Sequence, residues 1–180
     1  MRDTLAKFSL ATVALHWLIA IAMIAMLAFG LYLEDMASSP DKGALIGLHK
    51  SIGILILFFA ITRIIWRIQN KFPQPLSKMP NWQAFIAKLT HWVLIVGTVL
   101  MPISGVLMSV GGGYSVGVFG WELISGTGEK NEAMSNIGHL LHGLGGKLLI
   151  LFIVLHAAGA IKHQVIDKDG TLSRMLGKKV

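Results

Sequence analysis

The feature that most constrains this fold is a set of apolar stretches, each long enough to cross a lipid bilayer. Residues 8–33 carry no charged side chain, whereas about 20 apolar residues suffice to cross the hydrocarbon core as a helix. Three more apolar runs follow, and we predict helices over about 9–33, 43–68, 84–110 and 136–163. With 54% hydrophobic residues and a mean hydropathy of +0.67, residues 1–180 are expected to form a single integral membrane domain.

The N-terminal stretch has a second interpretation as a cleaved signal peptide, because Arg2 and Lys7 precede its apolar run. That run is longer than a typical signal core, and it carries His16 and Trp17 near its start. We therefore interpret it as a retained helix. Four retained helices predict an all-α, up-and-down bundle with both termini on the same side.

The positions of Lys and Arg predict the orientation of the bundle, since cytoplasmic loops are enriched in both. The side that holds the termini carries 12 of the 16 cationic residues: Arg2, Lys7, Arg63, Arg67, Lys71, Lys78, Lys88, Lys162, Lys168, Arg174, Lys178 and Lys179. The other side holds six of the nine acidic residues. We expect both termini to be cytoplasmic and lipid to be the partner of the surface charges. Nucleic acid is not predicted as a partner, although the net charge is +7.

Seven histidines lie inside or at the ends of the apolar stretches, where a polar side chain is costly and usually functional, and four of them are candidate cofactor ligands. These four are His16, His49, His142 and His156. The last two are 14 residues apart, which separates them by about 21 Å along a helix and returns them to nearly the same face. One helix can therefore supply an axial ligand to each of two stacked cofactors, and the depths of the other two histidines suit two haems b. The absence of cysteine excludes iron–sulfur clusters and covalently attached haem.

Depth along the helices predicts how the histidines pair. His16 lies about eight residues inside the inner end of the first helix, and His156 about seven from the inner end of the fourth. Both belong to the inner layer, whereas His49 and His142 lie near the outer ends of their helices. Two imidazoles on one iron give a low-spin centre suited to electron transfer.

Small residues near these histidines would let a flat porphyrin approach the helix backbone. They are Gly47 and Gly53 beside His49, Gly143, Gly145 and Gly146 beside His142, and Ala157, Ala158, Gly159 and Ala160 beside His156. Close helix packing is the alternative role of the same residues.

The other histidines and the interior cations have alternative roles. His91 is in the inner layer and is an alternative iron ligand, a polar neighbour of the inner haem or, like His163, a group at a quinone site, because imidazole can relay protons. His139 is the alternative outer ligand, and both His139 and His163 could instead be solvated interfacial residues. Cationic partners are expected for haem propionates. The candidates are Arg63, Arg67 and Lys162 in the inner layer, and Lys50 and Lys147 in the outer layer.

Four sequence elements resemble the bacterial cytochrome b561 family. They are Ala14-Leu-His16-Trp17-Leu, Leu48-His49-Lys-Ser-Ile-Gly53, the run from Met101-Pro102 to Gly105, and His142 followed by Leu155-His156-Ala-Ala. The resemblance covers essentially the whole chain. It implies a four-helix dihaem protein related to the cytochrome b subunits of formate dehydrogenase and nickel–iron hydrogenase. It also assigns His16 and His156 to the cytoplasmic-side haem, and His49 and His142 to the periplasmic-side haem.

The resemblance further implies a function at the bacterial inner membrane. Family members pass electrons between an outer donor and the quinone pool, and stand-alone members are associated with superoxide oxidation and ubiquinone reduction. We therefore expect a quinone-reducing oxidoreductase with two haems b and an outer one-electron donor, either superoxide or a redox protein. The alternative is an anchor subunit that relays electrons from a partner dehydrogenase or soluble cytochrome. A histidine-based metal or proton transporter is disfavoured, because the predicted membrane spans contain no Asp or Glu.

Overall fold

Long helices account for most of the structure, a computed structural model that describes residues 3–70 and 73–180. The elements, in chain order, are α1 (Leu10–Asp35), α2 (Pro40–Asn70), α3 (Asn81–Gly111), β1 (Val116–Val118), β2 (Trp121–Ile124), α4 (Glu132–Lys162), a π-helical turn (His163–Asp167) and α5 (Thr171–Met175). The cations Arg2 and Lys71, which the topology prediction includes, lie outside the described residues.

Helices α1 to α4 are each long and apolar enough to cross a membrane. The predicted fold class, an all-α membrane bundle of four helices, is confirmed. At six of their eight ends the helices run one to four residues beyond the predicted limits. Polar side chains cap the starts of α1 and α4. Ser9 accepts a hydrogen bond from the Thr12 amide at the start of α1, and Asn131 accepts one from the Met134 amide at the start of α4.

Glycines bring α3 and α4 into close contact along their length. A methyl group at Gly111 or Gly138 would lie 2.5 Å from main-chain atoms of the facing helix. The same substitution at Gly97 would put the methyl 2.5 Å from the Leu149 side chain. Small residues at such positions let helix backbones approach within a membrane, where packing rather than water drives association.

In contrast, the backbone of α4 comes near α1 and α2 at few points among the described residues, although α1 and α2 pack against each other. Midway between the two ends lies a small apolar core, formed by Ile19, Met23, Met26, Ile56 and Leu149. Above and below this core, side chains rather than backbone contacts bridge the space between α4 and the α1–α2 pair.

The glycine-rich connection between α3 and α4 contains an antiparallel hairpin of β1 and β2. Phe119 and Gly120 form its two-residue turn with φ values of +47° and +90°, as a type I′ turn requires. The hairpin is fixed to α2 because the Phe119 amide donates a 2.9 Å hydrogen bond to Ser51 Oγ, and Lys50 Nζ donates one of 3.2 Å to the Ser115 carbonyl.

The C-terminal segment folds across the inner end of the bundle. Trp17 Nε1 donates a 2.9 Å hydrogen bond to the Met175 carbonyl, and the Arg174 guanidinium donates to the carbonyls of Leu5 and Gln74. Arg174 also stacks 4.3 Å from the centroid of the Phe8 ring. These contacts hold the N-terminus, the α2–α3 connection and α5 together.

We expect Gly138→Ala to destabilise the bundle by about 1–3 kcal/mol, because overpacking forces backbone shifts. The added methyl would lie 2.5 Å from the Met108 amide nitrogen, and a main-chain atom cannot turn away. The measurement is thermal unfolding of the detergent-solubilised protein, followed by helical circular dichroism. Gly43→Ala is the matched control, because a methyl there meets nothing within 4 Å. Equal melting temperatures for the two variants would contradict the packing role of Gly138.

Candidate functional site

The four predicted ligand histidines form two pairs, one at each end of the apolar core. The ring centroids of His16 and His156 are 6.1 Å apart, and those of His49 and His142 are 6.2 Å apart. A metal held between two imidazole nitrogens at about 2 Å from each would place the ring centroids roughly 6 Å apart. Both pairs therefore have the separation of two axial ligands, and α4 contributes one imidazole to each.

In the outer pair, α3 fixes the orientation of His142. Its Nδ1 atom lies 3.1 Å from the Met101 carbonyl oxygen and 3.0 Å from Ser104 Oγ. Because a carbonyl only accepts hydrogen bonds, the ring proton is assigned to Nδ1, which leaves the Nε2 lone pair free for iron. Gly105 permits this approach, since a methyl there would lie 3.2 Å from His142 Cε1.

The partner imidazole of His49 supplies a second observation that fits a haem. His49 Nδ1 is buried and has no hydrogen-bond partner among the described residues. The ring lies 5.6 Å from that of Phe29, and a methyl at Gly30 would lie 3.5 Å from its Cε1. A buried polar group without a partner is costly, and iron bound through this nitrogen, opposite His142, would provide one.

The inner pair differs, because a cation contacts one of its rings. Arg63 Nη2 lies 3.1 Å from Nδ1 of His16. A guanidinium only donates hydrogen bonds, so in this arrangement the ring proton of His16 lies on Nε2. Iron could bind Nε2 only after that proton moves to Nδ1 and Arg63 turns away. The outer pair thus fits haem as it stands, and the inner pair fits after this rearrangement.

The other predicted histidines occupy three different environments. His91 lies beside the inner pair, with its ring centroid 5.3 Å from that of His156, so the inner layer contains three imidazoles. His163 follows α4 and lies in a polar cluster, 2.7 Å from an Asp169 carboxylate oxygen and 3.1 Å from one of Asp167. His139 is exposed, and the ring that faces His49 is His142.

Hydrogen bonds stabilise the carboxylates of the inner end in their charged form. Burial raises the pKa of Asp169, but hydrogen bonds from Ser77, Thr171 and His163 lower it by more. The pKa of Asp3 is likewise lowered, because hydrogen bonds from Ser9, Thr12 and Arg67 outweigh its burial. Since His163 Nδ1 faces carboxylates, it donates.

The predicted cationic partners of the haem propionates lie in different environments. Arg67 forms a 2.8 Å ion pair with Asp3, and Lys162 forms one of 2.7 Å with Asp167. In the outer layer, Lys50 reaches the hairpin, and Lys147 is exposed on α4. Arg63 is the predicted cation that contacts a ligand histidine.

The glycines near the histidines divide into two groups. Gly145 and Gly146 face Met101 of α3, with Sδ and Cε lying 3.0 and 3.6 Å from the positions of added methyl groups. They therefore pack helices, which is the alternative role considered above. A second group meets nothing within 4 Å and leaves open space: Gly47, Gly53, Gly143 and Gly159.

Sequence reasoning missed a polar cavity at the inner end, between the start of α3 and the end of α4. Its volume is about 370 Å³, and Ser77, Gln83, Lys162 and Asp167 are among the residues that line it. Ser77 also donates to Asp169, which binds His163. No local motif identifies such a site, because its residues come from the α2–α3 connection, α3, and the α4 end.

Comparison with known proteins gives consistent matches over nearly the whole chain. The chain is 32% identical over 183 residues to cytochrome b561 homolog 2 of Escherichia coli (strain K12). The alignment covers 98% of this chain and 94% of the relative. It is 27% identical to the probable superoxide oxidase CybB of Yersinia pestis, over 96% of this chain and 97% of the relative. Cytochrome b561 homolog 1 of Escherichia coli (strain K12) is 25% identical over 96% of this chain and 98% of its own length.

Residues 7–178 match the family described as prokaryotic cytochrome b561. This match spans the four long helices, both histidine pairs and the inner end. It confirms the resemblance that the sequence elements suggested. The chain belongs to the prokaryotic cytochrome b561 family, whose members are multi-pass membrane proteins that transfer electrons and bind haem b.

Proposed function

We propose that this cytochrome binds two haems b and passes electrons inward, from an outer one-electron donor to quinone. His16 and His156 would hold the inner haem, and His49 and His142 the outer one. The observation that carries the proposal is the equal separation of the two ring pairs, 6.1 and 6.2 Å. Haem b with imidazole at both axial positions cycles between ferric and ferrous iron and so carries one electron.

The protein between the two layers supports an electron-transfer role. Leu149 lies midway between His142 and His156 on α4 and is 2% exposed. It belongs to the apolar core, which separates the two histidine pairs and excludes water from the space between them. Filled axial positions and a dry interior favour electron transfer over oxygen binding.

The polar cavity at the inner end supports a quinone site on the cytoplasmic side. Lys162 and Gln83 line the cavity, and their side chains can donate hydrogen bonds to quinone oxygens. His163 and His91 are the candidate proton-relay groups at this end. Two electrons from two donor molecules and two protons from the inner side would convert one quinone to one quinol.

The outer donor is either superoxide or a redox protein. The similarity to a relative named as a probable superoxide oxidase supports superoxide, and in that case two superoxide anions would be oxidised to dioxygen for each quinone reduced. A partner protein is favoured by a different observation, the exposed hairpin. Trp121 is 81% exposed and Phe119 61% exposed, and such aromatic side chains are typical of binding surfaces. The second candidate function is therefore electron relay as an anchor subunit.

The distribution of charge supports a location in the bacterial inner membrane, with both termini in the cytoplasm. Ten of the 12 predicted inner-side cations are among the described residues, and the outer connections carry most of the acids. Arg67, Lys162 and Arg174 lie at the same end of the bundle as both termini. This orientation follows the enrichment of Lys and Arg on the cytoplasmic side.

Replacement of one α4 histidine should remove one haem and leave the other. We expect His142→Ala and His156→Ala each to lower the haem content from two to one per chain, or to leave one haem high-spin, because an axial ligand is lost. The measurement is pyridine haemochrome quantification together with reduced-minus-oxidised spectra. His139→Ala is the matched control on the same helix and should retain two low-spin haems. Loss of haem in that control, or two low-spin haems in both variants, would contradict the ligand assignment.

Quinone reduction should be a property of the isolated protein. We expect the purified, haem-loaded chain in lipid nanodiscs to reduce a soluble ubiquinone analogue when superoxide is generated, and His142→Ala to abolish the reaction, because the outer haem would accept the electron. Quinol formation is measured by ultraviolet absorbance, with superoxide dismutase as the control that removes the donor. Haem reduction without quinol formation would contradict the quinone reductase proposal and favour the relay function.

A further inference from the structure

We infer that Arg63 holds the inner haem at a higher reduction potential than the outer haem, so that the chain itself sets an inward direction for the electron. This inference rests on the proposed two-haem function and adds to it a positioning residue for the reaction. It follows from an asymmetry between the groups that contact the two histidine pairs.

Arg63 is the cation closest to the inner pair. Its Nη2 atom lies 3.1 Å from His16 Nδ1, and its side chain is only partly accessible. Its neighbour one turn along α2, Arg67, forms an ion pair with Asp3. The ion pairs of the described residues do not include Arg63, so no carboxylate neutralises its charge there.

A cation beside a haem favours ferrous over ferric iron, because the ferric state carries one more positive charge. The sign of this effect is the same whether the guanidinium contacts the imidazole or a haem propionate, although a propionate would offset part of the charge. When iron binds His16 Nε2, the Nδ1 contact must break, but Arg63 remains anchored on α2 within the inner layer. The attraction is stronger in a low-dielectric interior than at an exposed surface. Arg63 should therefore raise the reduction potential of the inner haem.

The outer layer has the opposite arrangement. His142 Nδ1 faces the negative end of the Met101 carbonyl dipole at 3.1 Å. A hydrogen bond from the second ring nitrogen makes the ligand more basic, and a more electron-donating imidazole stabilises ferric iron. The nearby cations contact neither ring of this pair, because Lys50 Nζ is directed to the Ser115 carbonyl at 3.2 Å and the Lys147 side chain is exposed on the surface of α4. The reduction potential of the outer haem should therefore be lower than that of the inner haem.

The expected difference in reduction potential favours electron transfer from the outer haem to the inner haem. An electron that enters the outer haem would move to the inner one, towards the end of the bundle that contains the candidate quinone cavity. Among the described cations, Arg63 differs from the others predicted to contact haem because it contacts a ligand histidine and has no carboxylate partner. Removal of the Arg63 charge should therefore change the reduction potential of the inner haem and not that of the outer haem.

The experiment is a spectroelectrochemical titration of the haem-loaded protein in nanodiscs, for wild type, Arg63→Gln, Arg63→Lys and Lys88→Gln. We expect two waves in wild type. In Arg63→Gln the high-potential wave should move down towards an unchanged low-potential wave. Arg63→Lys retains the charge and should preserve most of the gap. Lys88→Gln, which removes an exposed inner-side cation on α3, should reproduce the wild-type titration.

The waves are assigned from the low-spin absorbance of His142→Ala, which keeps the inner haem low-spin, and of His156→Ala, which keeps the outer haem low-spin. We expect the low-spin haem of His142→Ala to titrate at the higher potential. If Arg63→Gln loses its inner haem, Arg63→Met, which is uncharged and of similar length, is titrated in its place. Equal or reversed reduction potentials of the two haems would overturn the inference. A shift of both waves by the same amount in Arg63→Gln would overturn it too. Either result would leave the two-haem proposal intact. A preparation with no haem, or only one per wild-type chain, would instead overturn the proposed function.

Discussion

The structure depends on the cost of placing an imidazole inside a bilayer, where water cannot satisfy its nitrogens. Each interior histidine must find a protein partner or a ligand. His142 finds the Met101 carbonyl with one nitrogen, whereas His49 leaves Nδ1 buried without a partner among the described residues. The two rings nevertheless face each other at 6.2 Å. This arrangement is a poor solution for a metal-free core and a suitable one for two axial ligands of iron.

The helices pack unequally on the two sides of α4. Glycines such as Gly111 and Gly138 bring α3 against α4, so the two helices form one rigid unit that supports His142 and His156. The contact between α4 and the α1–α2 pair is instead made by side chains around the core. One helix interface is therefore closed by backbone contact, whereas the other is bridged by side chains, which include a histidine pair at each of two levels.

Much of the fold and of the histidine pairing follows from the sequence, because both depend on periodicity along single helices. The lengths of the apolar runs predict the four helices, and the 14-residue spacing of His142 and His156 places them on one face. Features that depend on contacts between distant segments were not predictable. The Arg63–His16 contact links residues 47 positions apart, and the polar cavity combines Ser77 with Lys162. The hairpin was missed because its strands have only three and four residues.

The central claim is that one iron lies between each histidine pair. The most direct measurement is an anomalous difference map at the iron absorption edge, from crystals of the haem-loaded protein. The account predicts two peaks, one between His16 and His156 and one between His49 and His142, separated by about 20 Å along the bundle axis. A single peak, or an inner peak ligated by His91 in place of His16, would contradict it.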